Sequence, residues 1–262
     1  MNWSAKHILA GFVALYGAMG IASAQFSINF TFDSALTADQ QGAFNNAAAT
    51  WESLISGYQP GINFTDIEIT VDTNATAGPS NVDQILFPGG TAVARGSRIF
   101  ADTTATSLDA ASLERFATRE IGNALGIGSL YQLNNLLDAT ETGYIGPAGL
   151  AVYQAEFDPT ATFIPVELIQ TGSVPGSNDV FAWDVIDDST AILNGLGQDL
   201  RDEFFVSNFD PTNPNAFISQ TTIASLEDLG FQLSTVSAIP EPSTALLVLF
   251  SASSLLLRRR RS

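Results

Sequence analysis

The residue types able to do chemistry gather around Glu120. Arg119 and Asn123 stand four apart in the run Arg119-Glu120-Ile121-Gly122-Asn123-Ala124-Leu125-Gly126-Ile127-Gly128. On a helix, positions i and i+4 share one face, the spacing at which two imidazoles hold a metal ion while a glutamate beside the first polarises the bound water. Here those two places hold a guanidinium, always charged and without a lone pair, and a neutral amide, a weak zinc ligand. The chain's one histidine is His7 and it has no cysteine. A Ser, His and Asp triad or a Cys and His dyad therefore cannot be assembled. Carboxylates remain: Glu120, Asp179, Asp184, Asp187, Asp188 and Glu203 are oxygen donors suited to a hard cation such as calcium or manganese. An acidic run is ordinarily just a solvated surface, and that reading stands beside the first.

The run from Arg119 to Gly128 resembles the active-site helix of the leishmanolysin-like zinc metallopeptidases, a metzincin-type family, whose pattern is His-Glu-x-Gly-His-x-Leu-Gly-x-Gly. Further stretches are similar: Ile127 to Tyr131 with Asn134, Asn135 and Leu136; Tyr144 to Ala148 with Tyr153; Pro165-Val166-Glu167; and the closing Thr221 to Phe231. The resemblance implies a zincin-like domain in which Arg119, Asn123 and Asn178 occupy the three zinc-ligand places. It makes Glu120 a vestigial general base and puts Phe205, in Asp202-Glu203-Phe204-Phe205, at the Met-turn beneath the metal. With all three histidines replaced, no cofactor is expected, zinc included. Without a dication, Glu120 and Glu203 need another counter-charge. Adjacent helical side chains diverge by about 100°, so Arg119 is expected to pair with Glu203 across the cleft, with Asn123 and Asn178 satisfying the remaining polar atoms.

The elements that must position these residues are those of an α+β domain: an N-terminal mixed sheet with an active-site-type helix, then a loop-rich C-terminal half ending in a short helix. Phe26 to Phe32 alternates as a half-buried strand; Thr37-x-x-Gln40 opens a helix that Gly57 to Gly61 ends. Ile67 to Val71 and Ser97 to Thr103 read as further strands, the second following a turn at Pro88-Gly89-Gly90. A helix over 107–125 carries Glu120 and stops at Gly126, and a final helix follows Thr222 and stops at Gly230.

The ends of the chain carry addresses. Residues 1–24 have the form of a secretory signal peptide, with Lys6, an apolar run and Ala22-Ser23-Ala24 before the cut. The body is 25–233, and 234–238 is a small-residue linker. From 239 to 262, Pro240-Glu241-Pro242 precedes fourteen mostly apolar residues and then Arg258, Arg259, Arg260 and Arg261. Those fourteen residues make about 21 Å of helix against a hydrocarbon core of roughly 30 Å, while the arginines resist translocation. The order resembles the PEP-CTERM sorting signal of Gram-negative bacteria. It implies transient residence in the inner membrane, cleavage by an exosortase-type sorting protease near Pro240 to Pro242, and delivery to the cell surface or the extracellular space. A permanent single-span anchor is the alternative.

Residues 25–240 hold 26 Asp and Glu against Arg95, Arg98, Arg115, Arg119 and Arg201 and no lysine, a net charge of −21. So acidic a body excludes nucleic acid as a partner and suits the outside of a cell. Three functions fit: a silent peptidase relative that binds a peptide or extracellular polysaccharide, a matrix structural protein, or a hydrolase with a rebuilt, non-histidine metal site. Mass spectrometry of the protein from its native host is expected to place the C-terminus near residues 239 to 243; intact Arg258 to Ser262 on extracellular protein would show that no sorting cut occurs.

Overall fold

The computed structural model describes residues 26–73, 80–170, 180–184 and 191–234. The export segment, Asn178, Asp179, Asp187, Asp188 and the sorting signal lie outside them. The alternation after Phe26 forms β1 (Ser27–Phe32), and Thr37 caps α1 (Ala38–Leu54). Thr37 Oγ1 accepts from Gln40 N at 3.3 Å while Gln40 Oε1 accepts from Thr37 N at 2.8 Å, a reciprocal capping box. The helix ends before Gly57 because Ile55 is drawn into β2 (Ile55–Tyr58), antiparallel to β9 (Phe231–Leu233). An aromatic cluster of Phe26, Tyr58 and Phe231 seals that join, with ring centroids 4.7 to 5.7 Å apart.

The main sheet is mixed. β1, β3 (Asp66–Asp72) and β5 (Val93–Phe100) are parallel, and β4 (Asn81–Leu86) lies antiparallel on the outer side of β5. Sequence periodicity does not reveal β4, because two register shifts around Gln84 break its alternation and it buries only Val82. β5 starts four residues before Ser97, through Val93 and Ala94, both wholly buried. The helix expected over 107–125 is α3 (Ala110–Leu125), which Asp109 caps by accepting from Ser112 N at 2.9 Å; the strand expected to reach Thr103 stops at Phe100, and Asp102 caps a short α2 (Thr103–Thr106) there by accepting from Thr104 N and Ala105 N, both at 2.9 Å.

α3 lies against α1 through small residues and one large one. Trp51 of α1 is fully buried and donates Nε1–H to Thr118 O of α3 at 2.9 Å. Beyond α3 the chain must turn at once. Gly126 supplies a left-handed cap (φ 114°), and Gly128 (φ 74°) lets the backbone of Phe181 come into contact, its N donating to Gly128 O at 3.3 Å. Both glycines of the Gly126-Ile127-Gly128 motif therefore have a backbone reason.

The second half holds more regular structure than its sequence suggests. β6 (Gly143–Tyr144), β7 (Ile164–Gln170) and β8 (Val180–Trp183) form a small antiparallel sheet. α4 (Pro147–Glu156) and α5 (Gln220–Asp228) cap one another. Asp228 at the end of α5 accepts from Ala148 N and Gly149 N at the start of α4, at 3.0 and 2.9 Å. Glu156 at the end of α4 accepts from Gln220 N and Thr221 N at the start of α5, at 3.3 and 2.8 Å. Each carboxylate meets the positive end of the other helix. α5 begins ahead of Thr222, capped by Ser219.

One contact ties the halves together under α3. A methyl added at Gly122 would fall into the ring of Phe205 and 2.9 Å from Trp51 Cζ2, and the Trp51 and Phe205 rings already meet edge to face at 6.0 Å. Gly122→Ala is expected to lower stability by about 1–3 kcal/mol, since one extra carbon in a filled core forces side chains off their rotamers; a drop in the urea midpoint at unchanged slope is the measurement.

Candidate functional site

α3 presents Glu120 and Asn123 on its buried face and Arg119 at the border of that face. Glu120 Oε2 accepts from both the backbone N–H, at 3.3 Å, and the hydroxyl of Ser80, which is itself wholly buried at the head of β4. The Glu120 carboxylate therefore fastens α3 to the head of the edge strand. Sequence reasoning had no means of finding Ser80, forty residues away beside a strand without periodicity.

Arg119 does not reach Glu203. Its Nη1 lies 3.6 Å from Glu120 Oε1, its Nη2 donates to Val206 O at 3.4 Å, and the guanidinium carbon sits 5.3 Å from the centre of the Phe209 ring. The expected cross-cleft pair is thus replaced by a pair with the neighbouring residue. Directions at Cβ diverge by about 100°, but the long arginine side chain folds back over its own turn, where Phe209 covers it.

Glu203 has found other partners. It follows a 3-10 turn (Leu200–Asp202) and is 0% exposed. One oxygen accepts from Ser219 N at 3.2 Å, Ser219 Oγ at 3.3 Å and Thr222 Oγ1 at 2.6 Å; the other accepts from Phe205 N. Thr222 in turn receives the indole N–H of Trp183 at 2.8 Å. The sequence pattern starts the last helix after Thr222 and so passes over Ser219, although a serine is a common helix-capping type; the carboxylate that uses it leaves no local signal. Burial pushes the Glu203 carboxyl up to about 7, with the four donors opposing the rise.

Of the residues singled out from sequence, Arg119, Glu120 and Asn123 share α3, and Phe205 lies against Gly122, between Arg119 and Asn123 in sequence. Asn123 is buried. Glu203 belongs to a separate network two residues from Phe205. Among the described residues no three His, Cys, Asp or Glu side chains converge as a metal cluster. Comparison with protein-family models, with curated proteins and with solved structures gives no match.

The Glu203 carboxyl titrates higher folded than its ordinary 4.5. Its stabilising contribution is complete below pH 4.5 and is lost as pH rises towards 7, a loss on the order of 3 kcal/mol. Asp33, Asp109, Asp158 and Asp210, held below the usual 3.8 by hydrogen bonds from nearby residues, Ser and Thr above all, act oppositely and only in stronger acid. Denaturant midpoints measured from pH 4.5 to 7 are expected to fall with rising pH, and Glu203→Gln is expected to flatten that slope.

Proposed function

We propose that this chain is an exported, catalytically silent relative of the leishmanolysin-like zinc peptidases, in which a zincin-like scaffold is kept as a binding surface at the cell surface or in the extracellular matrix. The observation that carries the reading is the state of Glu120: its carboxylate is committed to Ser80 and Arg119, with a fixed positive charge in the first ligand place. A general base needs a free lone pair and a nearby activated water. The donors on α3 do not fit zinc, because a guanidinium offers no lone pair and an amide oxygen is a poor ligand for that ion.

The scaffold reading draws support from the mixed sheet, from the helix that follows β5 and bears the motif, and from Phe205 under the ligand places. The binding reading draws support from β4. It is the last strand of its sheet among the described residues, and Leu86 and Phe87 at its end are exposed. A free strand edge takes an extended peptide by backbone hydrogen bonding, and so acidic a body favours a basic one. The resemblance of 1–24 and 239–262 to export and sorting signals supports a location outside the cell, reached through processing by an exosortase-type protease.

The purified protein is expected to hold no stoichiometric zinc after dialysis, by elemental analysis, and to leave casein uncut. Chelator-sensitive cleavage would overturn the reading. Arg119→His combined with Asn123→His and Asn178→His releases Glu120 from Arg119, though not from Ser80, and is expected to raise zinc affinity at least about tenfold, as two or three imidazoles replace poor donors.

A further inference from the structure

Arg119 is poorly served by its own chain. A guanidinium has five N–H donors. Here Nη1 is 3.6 Å from Glu120, Nη2 makes a long 3.4 Å contact to a carbonyl, and Nε is buried with no partner among the described residues. The Nε and Nη2 edge is therefore the least satisfied, and that edge is one a guanidinium uses to clasp both oxygens of a carboxylate. The side chain lines a cavity of about 350 Å³ whose other walls include Phe100, Leu108, Phe116, Phe209 and Pro211. Arg115, four residues earlier on the same face of α3, donates Nε–H to Pro211 O at 2.7 Å. Two of the five arginines of a strongly acidic body thus meet the same short segment around Val206 to Pro211.

We infer that this cavity binds a monocarboxylate carried on a single apolar group, the carboxylate clasped by Arg119 and the apolar group enclosed by the phenylalanine and leucine walls. The inference goes beyond the function proposed above and does not depend on it. Asp102 also lines the cavity and Glu120 flanks the guanidinium. A second negative charge on the ligand would meet these carboxylates, which disfavours phosphate or a dicarboxylate. The Phe209 ring over the guanidinium is the cover that moves on entry; it is only partly buried and lies between the exposed Asn208 and Asp210. A free aromatic or aliphatic acid and a peptide C-terminus ending in an apolar residue present the same group.

The test is calorimetric titration of the full chain with 3-phenylpropionate, 3-phenylpropanamide, phenylsuccinate and the tripeptide Gly-Gly-Phe as free acid and as amide. The monocarboxylate is expected to bind with a Kd of about 1 mM or tighter, and the amide and the dicarboxylate at least about tenfold more weakly. Arg119→Gln is expected to remove the difference between acid and amide. Thr104 stands exposed at the rim of the cavity with only its backbone hydrogen bonded, so Thr104→Trp blocks the mouth and leaves Arg119 in place, which decides the matter should Arg119→Gln fail to fold. Equal binding of acid and amide, no binding of any acid, or undiminished acid binding in Thr104→Trp would overturn the inference. If Gly-Gly-Phe acid binds more tightly than 3-phenylpropionate the ligand is a chain terminus, and if more weakly, a free acid; either result upholds the site.

Discussion

Glu203 is a carboxylate sealed from water, and the second half of the molecule is arranged around satisfying it. An unpaired buried carboxyl costs several kcal/mol, so the donors around it cannot be given up one at a time. Phe205 N, Ser219 N and two hydroxyls fix where the segment after Leu200 runs and where α5 begins. Through Thr222 the same network reaches Trp183 on β8. Because Phe205 is held by its own backbone N–H, its ring is delivered under Gly122, and Val206 O is delivered to Arg119. The surroundings of the motif helix thus follow from a carboxylate that never touches it.

Much of the architecture was legible where local chemistry determines it. The Thr37 and Gln40 capping box, the alternation in β1 and β3 and the glycine after Leu125 each act within a few residues, and each stands where the sequence placed it. What stayed hidden depends on distant pairing. β4 has bulges that erase its period, β6 and β8 are short, β7 depends on pairing with both of them, and α4 announces itself only by Pro147 at its first turn. At the site, the residue types on α3 were readable but their partners were not: Ser80, Val206 and Phe209 reach Glu120 and Arg119 through the tertiary fold alone.

The arginines show how an acidic chain spends few cations. Arg95 meets Asp66, Arg98 meets Asp72 and Asp83, Arg201 meets Asp199, and Arg115 binds the Pro211 carbonyl. Three of these hold strand to strand or fix a loop, at sites partly open to solvent where an ion pair contributes only about 1 kcal/mol or less. Five arginines leave most of the 26 carboxylates of residues 25–240 without a counter-charge, which keeps molecules apart and makes association with cations and basic partners dependent on ionic strength.

The mutual capping of α4 and α5 sets an order of events. α4 has its amino end complete only when Asp228 is present, and α5 only when Glu156 is. The strand pair β2 with β9 likewise waits for Phe231 to Leu233. Contacts of such long sequence separation form late and slowly. A chain still emerging from a ribosome can therefore assemble its N-terminal sheet but cannot latch its second half until nearly all of the body has come out. Completion of the fold then signals that the end of the body has arrived.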